Sequence, residues 1–373
     1  MSYTNSSRTR TTIIVVALIA IVAIVTFGSG KLGKKAASGE PIKIGVVYAL
    51  TGPAATWTQY GKWADDLAVR DINAAGGVNG RPIELIYEDS KTAPATSVSA
   101  FQKLTSVDHV QAVIGDVWSF ITNPLIPLAD QKKVVLISPT VMDKSVEGKS
   151  DYFYTIGHTV GSQRDSVRKF LASNATAKTA TILCWNDAWG QAHEQLFKEV
   201  MAERGVKLLG EECTNDFGSN YRTELAKLQA LKPDVLFATP GTIAFYKTRH
   251  ELGVTTPTLT TNIVIDGLEN QNMPRELAQG LYFTEWTPNQ AFVDSFKKMY
   301  GKTPIMEAQN HYEAVRALAK AMENNPDDVL AGLRTVKYEG IAGTIDFTGD
   351  HTQVNQENAK LYIVGESEYV EVK

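Results

Sequence analysis

Hydrophobic and polar positions follow two periods along most of the chain. An apolar, β-rich run at 42–50 ends in Thr51-Gly52-Pro53. A helical pattern follows, with Ala64, Leu67, Ala68, Ile72 and Ala75 on one face, and stops at Gly76-Gly77. Glycine ends it because glycine enters the left-handed region at little cost. The chain turns at Asn79-Gly80 and returns to an apolar run at 82–86. This predicts strand, crossover helix and parallel strand. The loop after the first strand of such a unit lies at the carboxyl edge of a sheet, where open α/β folds bind ligands.

The rhythm continues. Helices are predicted over 92–107 and 122–131, and strands over 110–114, 134–138 and 152–156. A second series predicts helices over 162–172, 189–204, 221–231 and 242–252, with strands at 180–185, 206–209, 234–239 and 258–261. After Gly280 the pattern changes to a strand at 281–284, helices at 290–300, 308–322 and 328–335, and short strands at 343–347, 360–364 and 369–372. Two βα series and a mixed return predict an α/β protein of two lobes, each with a parallel sheet covered by helices on both faces.

Composition narrows the function. The 373 residues carry a formal charge of −4 without a basic cluster, which argues against a nucleic-acid surface. Arg8 and Arg10 precede an uncharged apolar run at 13–25, the pattern of a secretory signal. With its flanking small residues the run reaches about 20 residues, or about 30 Å of helix, enough for an uncleaved membrane anchor. Residues 1–30 are therefore assigned as signal peptide or transmembrane anchor, and 31–40 as linker. Cys184 and Cys213 fit either one long-range disulfide or two buried thiols.

Enzyme motifs are missing. No Gly-x-Gly-x-x-Gly follows the first strand, and the chain has no phosphate-binding loop and no Gly-x-Ser-x-Gly elbow. The six histidines lack metal-ligand spacing, and His193-Glu194 has no second histidine four residues on. The expectation is a binding protein without catalysis, cofactor or metal.

Several segments in one order carry a family resemblance: IKIGVVYALTGPAA, INAAGGVNGRPIEL, AVIG at 112–115, VVLISPT at 134–140, LQALKPDVLF at 228–237, HYEAVRALAKAM at 311–322 and GTIDFTGD at 343–350. Across 41–373 the chain resembles the type I periplasmic solute-binding proteins of ABC importers, in the branched-chain amino acid receptor group. The resemblance implies two flavodoxin-like lobes joined by a three-segment hinge, closing on a ligand in the cleft. Carried onto this chain, lobe 1 is 41–156 plus 281–340 and lobe 2 is 157–280 plus 341–373. It further implies a monomer that captures a small ligand (an amino acid, or an aromatic or aliphatic carboxylate or amide) outside the cytoplasm and delivers it to a membrane permease. The alternative is a membrane-anchored sensor that signals to a partner.

The same resemblance points to site residues. Ser119, after the strand ending at Gly115, matches a position that binds a ligand carboxylate; capping the next helix is its structural alternative. Thr140 and Met142 match the next strand exit, with Met142 replacing a hydroxyl by an adaptable apolar contact. Trp57, Trp118 and Trp189 fall in three loops that face the cleft in the family, where flat rings enclose apolar groups. Gly241 falls at the place of a family aromatic hydroxyl. Asn262 falls where amino acid receptors carry a carboxylate for the ligand's ammonium. A buried ammonium without counter-charge is costly, so Asp187 and Asp266 stand as substitute carboxylates, although Asp266 reads equally as a solvated turn residue.

Overall fold

The computed structural model describes residues 37–140, 146, 148–215, 220–349 and 358–373. The expected segments at 1–30 and most of the linker lie outside these residues, as does Met142. No helix among the described residues is long and apolar enough to cross a membrane.

The first lobe is built on a five-stranded parallel sheet of order β2-β1-β3-β4-β5. Its strands are β1 (Ile42–Tyr48), β2 (Ile83–Asp89), β3 (Ala112–Ile114), β4 (Val135–Ser138) and β5 (Phe153–Thr155). β1 is an almost continuous apolar run because helices cover both faces, so nearly every position is buried. Its connections are α1 (Ala55–Ala74), α2 (Pro94–Ser106), the single turn α3 (Ser119–Thr122) and α4 (Ile126–Lys132). The helix expected from 122 starts earlier, at Ser119, and a 3-10 turn around Pro124 separates α3 from α4.

The second lobe carries a seven-stranded sheet of order β14-β13-β10-β9-β8-β6-β7. Its strands are β6 (Thr179–Trp185), β7 (Lys207–Thr214), β8 (Val235–Ala238), β9 (Thr258–Thr260), β10 (Tyr282–Glu285), β13 (Lys360–Val364) and β14 (Tyr369–Glu371). β6 to β10 run parallel, and β13 and β14 add antiparallel edges. Helices α5 (Arg164–Ser173), α6 (Ala188–Arg204), α7 (Arg222–Ala230), α8 (Ile243–Glu251) and α9 (Ile263–Asn270) complete it. Cys184 and Cys213 are register partners on β6 and β7 and form a disulfide, which decides between the two alternatives.

The chain returns to the first lobe through α10 (Gln290–Tyr300), α11 (Met306–Asn324), α12 (Val329–Leu333) and the hairpin β11 (Lys337–Gly340) with β12 (Gly343–Asp346). α11 buries Ala314, Val315, Leu318 and Met322 against the first sheet, in one core with Ile345 and Phe347.

Two boundaries differ from expectation. The strand at 281–284 is expected in lobe 1, but β10 hydrogen-bonds to β9 and β13 in the second sheet, so the chain crosses after Glu285. The 343–347 strand is expected in lobe 2, but β12 pairs with β11 and sends Ile345 and Phe347 into the first core. The lobes are joined by three passages: β5 to α5, β10 to α10, and β12 to β13. Helix α9 and strand β11 were not anticipated.

Candidate functional site

The carboxyl ends of both sheets face one another. Between them lies a cleft lined by Trp57, Val117, Trp118, Ser119 and Thr140 from the first lobe and by Trp185, Asp187, Trp189 and Ile263 from the second. Ile305 and Glu307, at the start of α11, close its rear. About 60 Å³ remains free, far below the roughly 300–1,000 Å³ of ligand pockets. The two lobes therefore leave little free space between them.

On the first lobe, Asp116 fixes the wall. It is fully buried and accepts hydrogen bonds from the amides of Ala49 and Trp118 and from the Thr58 hydroxyl. Burial pushes its carboxyl up to about 6. This one side chain ties the loop after β1 to the loop after β3, and it brings Trp57 and Trp118 edge to face at 6.4 Å between ring centres. Thr140 donates its hydroxyl to the Val117 carbonyl at 3.0 Å, which joins the next strand exit to the same wall. Ser119 opens α3 at the cleft surface, and no side-chain cap closes the start of that turn.

On the second lobe, Asp187 caps α6 by accepting from the Gly190 amide at 2.7 Å. Gly190 is required there, since a Cβ would collide with the Trp185 carbonyl. The cap orients Trp189, whose ring lies 5.7 Å from Trp185 and 4.2 Å from the His193 ring. His193 donates Nδ1–H to the Trp189 carbonyl and accepts at Nε2 from Gln163, and burial holds it neutral by pushing it down to about 4. Burial also raises the carboxyls of Asp187 and of Glu307.

The cleft thus gathers Trp57, Trp118, Ser119, Thr140 and Trp189 of the expected residues. Gly241 and Asn262 do not line it. Gly241 acts through its neighbour: a Cβ there would strike Ile263, which does line the cleft. Asn262 sits instead at the N-cap of α9. Of the two substitute carboxylates, Asp187 reaches the cleft and Asp266 does not. Asp266 is 1% exposed on α9. It accepts from Tyr60 and Asn270 at 2.8 Å and from Gln271 at 2.5 Å, so it is no solvated turn residue.

Sequence reasoning missed Trp185, Ile263, Ile305 and Glu307. Glu307 opens a helix, where a glutamate ordinarily reads as a solvated residue favoured by the helix dipole; only the lobe facing it makes it a cleft residue.

A family model described as Periplasmic binding protein matches residues 41–365. The chain belongs to the periplasmic binding protein family. It is 25% identical over 342 residues to Leu/Ile/Val-binding protein homolog 3 of Brucella melitensis, covering 86% of this chain and 91% of the relative. It is 26% identical over 355 residues to the leucine-, isoleucine-, valine-, threonine- and alanine-binding protein of Pseudomonas aeruginosa, covering 88% and 90%. Among solved structures it resembles the branched-chain amino acid transporter substrate-binding protein LivJ of Streptococcus pneumoniae, in complex with isoleucine. That match has a TM-score of 0.76 and 22% identity, over 90% of this chain and 100% of the other. A solute-binding protein of Rhodopseudomonas palustris in complex with 3,4-dihydroxybenzoic acid matches with a TM-score of 0.77 and 21% identity, over 89% and 96%. The fold of this periplasmic binding protein is the type I arrangement of two lobes. Its family consists of solute-binding proteins.

Proposed function

We propose that this periplasmic binding protein captures an α-amino acid with a large apolar or aromatic side chain. It acts as a monomer outside the cytoplasm and hands its guest to an ABC importer permease. The charge balance of the cleft carries this reading. Asp187 and Glu307 bring two carboxyls, and none of the described lining residues is Lys, Arg or His. A simple organic acid brings another acidic group beside these two carboxyls, without a basic partner. An ammonium supplies the missing counter-charge, which a buried carboxylate needs. Ser119 and the adjacent backbone then receive the ligand carboxylate, while Trp57, Trp118, Trp185, Trp189, Ile263 and Ile305 enclose the side chain. The names of the relatives, which are amino acid binders, point the same way.

Calorimetry on protein freed of bound ligand tests this. Leucine, phenylalanine and tryptophan are compared with their deaminated acids. Micromolar affinity needs about −8 kcal/mol and is expected for at least one amino acid, with no binding of its deaminated counterpart. Equal affinity for the deaminated acid would overturn the reading.

A further inference from the structure

A second cavity of about 400 Å³ lies beside the cleft, on the far side of Ile305, which lines both. Its walls come from both lobes: α9, β10, β13 and β14 of the second, and α10 with the start of α11 of the first. That volume lies within the range of small-molecule sites, about 300–1,000 Å³. Nothing in the amino acid reading of the cleft uses it.

The chemistry of its walls is specific. One side is aromatic: Phe283 stacks on Tyr362 at 5.5 Å and meets Tyr369 edge to face at 5.4 Å. Beside these rings lies Glu285, 9% exposed at the end of β10. Its Oε1 accepts the Trp286 amide at 2.8 Å. No cation pairs with Glu285 among the described residues. Gln309 is also buried at the cavity and accepts the Asn289 amide at 2.7 Å. Lys297 stands exposed on the rim, free to swing to water.

We infer that this cavity is a second ligand site, for a small organic ammonium ion whose charged nitrogen pairs with Glu285 and whose carbon body lies on the rings of Phe283, Tyr362 and Tyr369. Aromatic faces attract cations, and a desolvated carboxylate is the strongest partner for one. Because its walls belong to different lobes, an occupant acts on the lobe angle as well. The site does not depend on the cleft being an amino acid site.

Proton release gives the binding a signature. Burial pushes Glu285 up to about 8, with Glu307 adding to the effect. The other titratable groups on its walls are Glu269 of α9, Lys297 of α10, and Tyr362 and Tyr369 of β13 and β14. An arriving ammonium makes the carboxyl ionise, so about one proton leaves per ligand at pH 7 and affinity rises about tenfold per pH unit up to about pH 8.

The test is titration of the full chain with butylammonium and phenethylammonium, in two buffers of different ionisation enthalpy. Phenylpropionate and phenethyl alcohol serve as anionic and neutral controls. Expected are one binding site for the amines, none for the controls, and proton release. Trp189→Ala, in the cleft, should leave amine binding in place. Glu285→Gln should weaken it about tenfold to a hundredfold, as for a lost charged hydrogen bond. Val293→Phe, which fills the cavity from α10, should abolish it, and this variant stands in if Glu285→Gln fails to fold. The inference is overturned if the amines do not bind up to millimolar concentration. It is equally overturned if the controls bind as well, or if Trp189→Ala removes amine binding while Glu285→Gln and Val293→Phe keep it.

Discussion

The hydroxyl of Tyr60, on α1 of the first lobe, donates a 2.8 Å hydrogen bond to Asp266, on α9 of the second. Both residues are buried, at 4% and 1% exposure, so the bond exists only while the lobes are together. Asn270 reinforces the junction by accepting from the Thr303 amide and donating to the Thr303 carbonyl. Breaking a buried bond while its acceptor stays in place costs about 1–3 kcal/mol. Tyr60→Phe should therefore shift the ligand-free protein toward the open form and weaken ligand binding by about tenfold. Small-angle scattering should show a larger radius of gyration without ligand and the wild-type value with saturating ligand. An unchanged ligand-free radius together with unchanged affinity would show that this bond does not hold the lobes.

The two cleft carboxyls have separable consequences. Asp187 also caps α6, whereas Glu307 has no such duty. Glu307→Gln should leave the melting temperature near wild type and weaken amino acid binding by about tenfold to a hundredfold, the usual range for a lost charged partner. Asp187→Ala should weaken binding and also lower stability by about 1 kcal/mol through the lost cap. Calorimetry beside thermal denaturation checks both. If neither variant changes affinity, the ligand's ammonium contacts neither group.

How much of this was legible in the sequence depends on distance along the chain. The βα rhythm is a local pattern, and it placed most strands and helices. Ser119 and the tryptophans at the sheet exits followed from the same pattern together with the family resemblance. What failed was non-local. Helix α9 spans only eight residues and carries Gly267, so it offers little more than two turns of pattern; Val264 packs into the second core, while Asp266 is bonded across the lobe junction. Asp266 looks like a surface turn residue until Tyr60, 206 positions away, is brought to it. β10 reads as the start of the return segment, yet its neighbours are strands from both sides of that segment.

Stability should fall as pH rises from about 7 to 8; at lower pH the buried His158 and His193, pushed down to about 3 and about 4, act in the opposite direction, because they charge on unfolding. Glu285 is pushed up to about 8 in the fold, against an ordinary value near 4.5. A carboxyl raised on folding binds more protons folded than unfolded, so raising pH favours the unfolded state until the folded value is passed. The shift corresponds to at most about 5 kcal/mol, an order-of-magnitude figure. Asp116, pushed up to about 6, acts in the same direction but is finished by pH 7, as are the two histidines, so the interval from pH 7 to 8 belongs mainly to Glu285. Glu285→Gln should flatten the melting temperature in that interval. An equal slope in wild type and variant would mean that Glu285 ionises normally in the fold.

The Cys184–Cys213 bond closes a loop of 29 residues between neighbouring strands. The chain-entropy relation gives about 3.6 kcal/mol for a loop of that length. Cys184 directly precedes Trp185 of the cleft wall, so the bond also anchors that edge. Replacing both cysteines by serine should lower the melting temperature by several degrees, and reductant should do the same to wild type alone. A variant as stable as oxidised wild type would show that the bond adds nothing.

Gly241 offers a test of how the second lobe shapes the cleft. A Cβ added there collides with the side chain of Ile263, which is 8% exposed and lines the cleft. The backbone of Gly241 lies outside the left-handed region, so Gly241→Ala strains packing rather than the main chain. Overpacking of this kind costs about 1–3 kcal/mol. Part of that strain is relieved by moving Ile263 toward the ligand, so Gly241→Ala should weaken binding of the bulkiest ligands most. Trimming the neighbour in Gly241→Ala/Ile263→Ala removes the clashing Cγ2 while the Cβ stays, so it should restore part of the stability, because the pair is in contact and its effects do not add. If the double variant is weaker than the single one, Ile263 is held by something other than the gap above Gly241.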